Sequence, residues 1–254
     1  MTATLVLHQL RFDVRAALRN RRVVFLSIAL PVLLLVVLTG LYGDSGNVEA
    51  IGQKVSAQRA FVPGIMALAV LTSSFMTLLM TVAGQRQAGI LKRRRATPVP
   101  SLVLILGRTL TSTGISIVAV AVMLIIASEA YDIAPPAGFE LPMLLGVVVG
   151  SLCFACCGFA VAGLVTSPES AGPIVQVILL PLQLISGVYF PTDGLPSWLH
   201  TVASIFPLVH LTQALQHGML PNPSIAWGDL GVMAIWAVGA AAVAVRTFRW
   251  LPAR

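Results

Sequence analysis

Long apolar stretches alternate with short polar connections along this chain. A helix that crosses a membrane needs about 20 apolar residues, because each residue advances 1.5 Å through about 30 Å of hydrocarbon. Six stretches meet this requirement, at residues 23–42, 61–83, 102–127, 141–165, 173–190 and 227–245. The pattern therefore predicts an all-α membrane protein with six transmembrane helices in a single domain over residues 1–254.

Two segments outside these stretches also carry an apolar pattern. Within residues 1–22, Leu7, Leu10 and Val14 share one helical face that arginines flank. This favours an interfacial helix on the membrane surface over a simple charged anchor. Residues 191–226 are rich in proline and glycine yet mostly apolar. We expect them to re-enter the membrane as short helices, in a re-entrant outer hairpin before the last span, with their backbone buried in protein or lining a cavity.

The basic residues indicate the orientation. The chain has 16 lysines and arginines, and all except Lys54 and Arg59 lie in three places. They precede the first stretch, lie between the second and third stretches or just inside the third, or follow the sixth. Because cytoplasmic loops carry the excess of these residues, both termini are predicted to be cytoplasmic. The excess of arginine over lysine suggests a bacterial genome rich in GC, so the expected location is a bacterial cytoplasmic (inner) membrane.

Composition and motifs exclude several other classes of protein. The chain is 57% apolar and 10% charged, whereas a soluble domain carries about 25% charged residues. Its net charge of +7 comes in short clusters that orient a membrane protein, so we expect no nucleic-acid partner. The sequence contains neither His-Glu-x-x-His nor Gly-x-Ser-x-Gly. We therefore predict no catalytic residue and no metal site, and interpret the four histidines as interfacial polar residues.

The source of energy is constrained by what the stretches lack. None has an Asp, Glu, Lys or His near its centre, and Arg108 and Glu129 lie near the ends of the third, where they can reach water. This argues against an ion-coupled carrier or channel, which stays the alternative because sodium can bind carbonyls and hydroxyls alone. The sequence also lacks the phosphate loop of an ATPase. If ATP drives this protein, another chain must bind it.

Uncharged polar and small residues recur inside the stretches. They can bond or pack between helices, which is the structural interpretation, or line a substrate path. The candidate path residues are Ser73, Thr77, Gln176 and Gln183. A stripe of small residues in the fourth stretch is expected to pack on another helix: Gly146, Gly150, Gly158 and Ala162.

The basic connection at residues 84–100 and the loop before the last stretch resemble one family. The first motif is a Gly-x-Leu-Lys-Arg-x-x-x-Thr-Pro run with Gly89, Leu91, Lys92, Arg93, Thr97 and Pro98. The second comprises residues 185–191, 195–199 and 206–207. Together they resemble the permease subunits of type-2 ATP-binding-cassette (ABC) exporters, especially drug-resistance permeases of the daunorubicin-exporter type, over essentially the whole chain.

The resemblance implies a division of labour between subunits. Residues 85–95 would be a cytoplasmic coupling helix that docks on a separate ABC ATPase, through Gln85, Arg86, Gln87, Gly89, Leu91, Lys92, Arg93, Arg94 and Arg95. Gln87 stands where the family usually has an acid, which puts a specific carboxylate contact in doubt. Two ATPase copies would carry ATP and Mg, and this chain would need no cofactor. A second permease chain, identical or homologous, would complete a pathway for an amphipathic drug or lipid-like substrate within membrane lipid.

Overall fold

The computed structural model of the chain describes residues 12–16, 19–20, 24–41, 46–50, 53–90, 101–165, 168–189 and 196–247. Most of these residues are helical, as the apolar pattern predicts. A short antiparallel hairpin of strands β1 (Asn47–Ala50) and β2 (Gln53–Ser56) interrupts the helical architecture between the first two helices.

The helices follow one another in chain order with short connections. They are α1 (Leu30–Leu41), α2 (Ala57–Leu71), α3 (Thr77–Gln87), α4 (Ser101–Tyr131), α5 (Glu140–Leu164), α6 (Pro168–Ile185), α7 (Ser197–Ala203), α8 (Pro207–Met219) and α9 (Trp227–Thr247). A π-helical segment, Phe25–Ala29, precedes α1. A second π-helical segment, Thr72–Met76, joins α2 to α3, so that Ala57–Gln87 forms one long helix.

In the described part of the chain, four helices are long and apolar enough to cross a membrane. They are Ala57–Gln87, Ile105–Tyr131, Glu140–Leu164 and Trp227–Arg246. We call them the second, third, fourth and sixth spans, because they match those predicted stretches. The first and fifth stretches correspond to shorter apolar helices within the described residues, Ser27–Leu41 and Val175–Ile185. Six spans therefore stay a prediction at these two positions.

The second span lies at the centre of the helical bundle. Its most apolar stretch is 72% buried, against 17% for that of the sixth span. The fourth span approaches it so closely that a Cβ atom on Gly158 would lie 3.0 Å from the carbonyl oxygen of Phe75. The small residues of the fourth span therefore serve close helix packing, as their spacing predicts.

Two short helices, α7 and α8, occupy the apolar loop before the sixth span. The Phe206 ring between them stacks on Trp236 of α9, with ring centroids 6.3 Å apart. The Trp236 indole N–H also donates to the carbonyl oxygen of Ile205 at 2.9 Å. Short helices were expected here, and these contacts attach them to the sixth span. Their re-entry into the membrane stays a prediction.

Two predicted features lie partly outside the described residues. Residues 12–16 of the expected interfacial helix are helical, whereas residues 1–11, 17–18 and 21–23 lie outside. Residues 91–100, which include the second part of the expected coupling helix (residues 91–95), also lie outside.

Candidate functional site

A polar cavity opens between the segment that carries Asp13, Ala16 and Asn20, the second span and the third span. Its volume is about 200 Å³, enough for roughly six water molecules. It is lined by Ser73, Thr77, Thr81, Thr111 and Ser112, together with Gln85, Asp13 and Arg108. The cavity thus combines hydroxyls and the amides of Asn20 and Gln85 with one acidic and one basic side chain, within an otherwise apolar bundle.

The hydroxyl of Ser73 links the second span to the third. Ser73 belongs to the π-helical segment Thr72–Met76 and is fully buried. Its Oγ lies 2.5 Å from Oγ of Ser116 on the third span, and it also donates to the carbonyl oxygen of Ala69 at 2.7 Å. A π-helical turn changes the direction of the side chains that follow it and is frequent at functional sites. Here it coincides with the hydroxyls that face the third span.

The hydroxyl of Thr77 links the second span to the first helix. Thr77 Oγ1 lies 3.2 Å from Oγ of Ser27, which belongs to the π-helical segment before α1. It also donates to the Thr72 carbonyl oxygen at 3.0 Å. Ser73 and Thr77 therefore bond between or within helices, and both also line the cavity. The two interpretations of Ser73 and Thr77, as bonds between helices and as residues that line a path, are therefore compatible.

The other two candidate path residues lie away from this cavity. Gln176 on α6 is exposed on the surface of the bundle. Gln183 is 6% exposed, and its Oε1 accepts a hydrogen bond from the Tyr189 hydroxyl at 3.2 Å. The chain that turns back after α6 covers Gln183, which is why two glutamines seven residues apart differ in exposure. The four candidates therefore do not form one site within this chain.

Arg108 closes one side of the cavity. The sequence interpretation placed it where it can reach water, but the structure corrects this, because Arg108 is only 6% exposed. Its Nη2–H donates to Oε1 of Gln85 in the last turn of α3. A buried guanidinium needs such acceptors, since an unsatisfied buried charge is costly. No pattern in the sequence predicts this pairing, because it joins two helices across a connection.

The predicted coupling residues divide into two groups. Gln85, Arg86 and Gln87 continue the second span to its end instead of starting a separate helix. Ala88 and Gly89 then form a turn, in which Gly89 adopts φ = +68°, a conformation that favours glycine. Leu91, Lys92, Arg93, Arg94 and Arg95 lie outside the described residues. Gln85, Arg86 and Gln87 thus belong to the second span, and a coupling helix over the remaining residues stays a prediction.

Arg86 is buried rather than exposed for docking. It is 4% exposed, and its Nη1–H donates to the Ala162 carbonyl oxygen at 2.9 Å. Its Nη2–H donates to the carbonyl oxygen of Val165. Both acceptors lie at the carboxyl end of α5. Gln87, by contrast, is exposed.

His210 and Asp229 form an ion pair at the other end of the fourth span. His210 Nδ1 lies 2.6 Å from Oδ1 of Asp229, and His210 Nε2 lies 2.8 Å from the carbonyl oxygen of Ser204. The hydrogen bond to Asp229 raises the pKa of His210, although burial acts in the opposite direction. His210 is predicted from the sequence as an interfacial polar residue, and that prediction did not include its partner Asp229, 19 positions away.

The chain is similar to known proteins over most of its length. The sequence model of the family described as ABC-2 type transporter matches residues 5–220. A protein of Escherichia coli (strain K12), named probable multidrug ABC transporter permease YbhR, is 24% identical over 190 residues, which cover 74% of this chain and 51% of that protein. The putative transport permease YvfS of Bacillus subtilis (strain 168) is 25% identical over 203 residues, 78% of each chain. The chain thus spans about half the length of YbhR.

Proposed function

The chain belongs to the ABC-2 type transporter family, and from this membership we propose that it is the permease of an ATP-driven exporter. It is a multi-pass membrane protein and the membrane subunit of a transporter. The proposal goes further by assigning ATP binding and hydrolysis, with Mg, to a separate ABC ATPase. The observation that carries it is the family match across residues 5–220. This range includes the second span and the basic segment at residues 89–95, which begins at the Gly89 turn.

The basic segment at residues 89–95 is the proposed docking surface for that ATPase. It follows directly on the long central helix Ala57–Gln87, so a displacement of the segment acts on the most buried helix of the bundle. Its lysine and arginines suit an acidic or polar groove on a soluble partner. Two ATPase copies would serve two permease chains, the second being identical or homologous to this one.

The polar cavity is the proposed entrance to the substrate path. Thr77 offers a hydroxyl there to the polar part of a substrate, next to Asp13 and Arg108, and the buried Ser73 holds the cavity wall through its bond to Ser116. Gln176 is exposed beside apolar surface residues such as Val177 and Ile178. We assign it to the part of the path that faces a second permease chain. Polar groups against apolar walls fit an amphipathic drug or lipid-like molecule, and the name of YbhR describes that protein as a probable multidrug transporter permease.

The proposed orientation follows from the basic residues. Both termini and the Gly89 turn face the cytoplasm of a bacterial cell whose cytoplasmic membrane holds the complex, and residues 1–22 lie on the lipid surface. The first and fifth apolar helices complete six spans of a single permease domain. On the opposite side, α7 and α8 form the outer hairpin, which re-enters the lipid.

A purification and a transport assay together test this function. The chain is tagged in its native membrane and purified in mild detergent, and the co-purifying proteins are identified by mass spectrometry. Export is then followed in inverted vesicles with ATP, with vanadate, and with ionophores that abolish ion gradients. We expect an ATPase with a phosphate loop to co-purify, and transport to stop with vanadate but continue with ionophores.

Charge-reversal variants locate the docking surface. Arg93→Glu with Arg94→Glu is expected to abolish co-purification of the ATPase. The matched control is Arg246→Glu with Arg249→Glu, which reverses the same number of charges on the same side of the membrane. Transport that survives vanadate, stops with ionophores and needs no partner would instead establish the ion-coupled alternative.

A further inference from the structure

The last turn of α3 bonds to two other spans through adjacent residues. Gln85 accepts a hydrogen bond from Arg108 of the third span. Arg86 donates to two carbonyl oxygens, of Ala162 and Val165, at the end of the fourth span. Consecutive residues on a helix point about 100° apart, so neighbouring positions can reach helices on two different sides.

The Arg86 contact has a clear physical basis. The last four carbonyl groups of a helix have no partner within that helix, and the carboxyl end of a helix carries partial negative charge. The fourth span ends at Leu164, so both acceptors belong to this unpaired set. A guanidinium with several N–H groups satisfies them and is attracted by the helix dipole. At 4% exposure, this contact is protected from water and salt.

The position of these contacts along the chain is the second observation. Gln87 and Ala88 are exposed, and Gly89 turns the chain with φ = +68°. The basic segment follows immediately. A displacement of that segment reaches the membrane domain at both ends of the connection, and at the Gly89 end it next meets Gln85 and Arg86.

Apolar packing alone transmits such a displacement poorly. In lipid, apolar contacts between helices have little preference over contacts with lipid chains, so helices can slide and rotate past one another. Directional hydrogen bonds from a buried guanidinium resist such sliding. Where Gln85 and Arg86 bond, directional hydrogen bonds link the ends of the second, third and fourth spans.

We propose that Gln85 and Arg86 form a transmission clamp, which passes movement of the basic segment on to the third and fourth spans. This rests on the proposed function, since it presumes an ATPase that moves the segment. Gln85 and Arg86 are positioning residues in this mechanism, because they act through the helices that they hold. The clamp couples ATP hydrolysis to transport, whereas docking of the ATPase depends on the segment beyond Gly89.

The experiment measures transport and ATP hydrolysis in the same proteoliposomes, with the permease and its ATPase reconstituted together. For Arg86→Gln we expect the ATPase to stay bound and to hydrolyse ATP, while the transport per ATP hydrolysed falls roughly 2- to 30-fold, the range by which single mutations change the coupling between sites. Arg86→Lys keeps a cation at the helix end and is expected to restore part of the ratio. Arg246→Gln, an exposed arginine to glutamine change on α9, is the control that keeps the wild-type ratio.

A second pair of variants covers the case in which Arg86→Gln fails to assemble. Gln85→Leu removes the acceptor of Arg108, whereas Gln85→Glu keeps an acceptor and adds a charge of opposite sign. We expect the transport-to-hydrolysis ratio to fall in Gln85→Leu and to fall less in Gln85→Glu, which keeps an acceptor for Arg108. The clamp is rejected if Gln85→Leu keeps the wild-type ratio while Arg86→Gln either keeps it too or does not assemble. A failure of the proposed function itself looks different, since the wild-type chain would then bind no ATPase.

Discussion

His210 on α8 and Asp229 in the first turn of α9 make a contact whose strength depends on pH. One ring nitrogen of His210 faces a carboxylate oxygen of Asp229 at 2.6 Å, and the other faces the carbonyl oxygen of Ser204 at 2.8 Å. Both partners are acceptors, so both ring nitrogens must donate, which only the protonated imidazolium can do. The contact is therefore complete when His210 is charged.

The direction of the pH dependence follows from the raised pKa of His210. The folded state binds this proton more tightly than the unfolded state does, so protonation favours folding. The stabilisation is fully present below the unfolded-state pKa of about 6.5. It is lost as the pH rises through the higher pKa that His210 has in the folded protein.

The size of the effect can be worked out from the burial of the pair. The side chains of His210 and Asp229 are 13% and 17% exposed, so water screens their interaction only in part. A hydrogen bond to a charged group contributes about 1.5–3 kcal/mol, and a neutral one about 0.5–1.5 kcal/mol. Asp229→Asn keeps an acceptor without the charge. It should therefore lower the free energy of unfolding by about 1 kcal/mol at pH 6, or Tm by about 2–4 °C.

The assay is thermal unfolding of the detergent-solubilised chain between pH 6 and 8. We expect the Tm difference between wild type and Asp229→Asn to be largest at pH 6 and to shrink as the pH rises. The control is His217→Gln, on the same helix, where the His217 ring contacts a hydroxyl, that of Ser224, instead of a carboxylate. A constant Tm difference across this range, or the same loss of pH dependence in the control, would refute the assignment of the effect to His210 and Asp229.

Three substitutions probe the packing of the spans. Gly64→Ala places a Cβ atom 2.5 Å from the backbone oxygen of Val188, and we expect it to lower the free energy of unfolding by about 1–3 kcal/mol; an unchanged Tm would contradict this. Ser116→Ala removes the hydroxyl that links the second and third spans, and it should lower the free energy of unfolding by about 0.6 kcal/mol. Denaturant titration in micelles measures this change, and a variant more stable than wild type would contradict the prediction. Trp236→Phe keeps a ring but loses the N–H that bonds to Ile205, so hydrogen exchange should accelerate around Ile205 and not in the fourth span.

The apolar pattern predicts the long spans well because a stretch of about 20 apolar residues is a strong and local signal. The fourth stretch was expected at residues 141–165 and is the helix Glu140–Leu164; the sixth was expected at 227–245 and is Trp227–Thr247. The predicted stripe of small residues also lies where helices meet, as Gly158 shows. These features depend on residues close in sequence, which a single chain displays directly.

The pairings between spans could not be predicted in the same way. Arg86 bonds to Val165 across 79 positions and Arg108 to Gln85 across 23, and no periodicity links such distant residues. In the sequence, both arginines belong to a basic cluster whose simplest role is orientation. Their burial becomes visible only when the helix ends are placed side by side.

A few hydrogen bonds between the spans are enough to select one arrangement of the bundle. Apolar surfaces of membrane helices are interchangeable with lipid, so they allow many packings of similar free energy. Ser73 with Ser116 fixes the second span against the third within the bundle, and Gln85 with Arg108 does so at one end. Two contacts at different heights along the same pair of helices prevent both sliding and rotation. A displacement of the second span should therefore displace the third span with it.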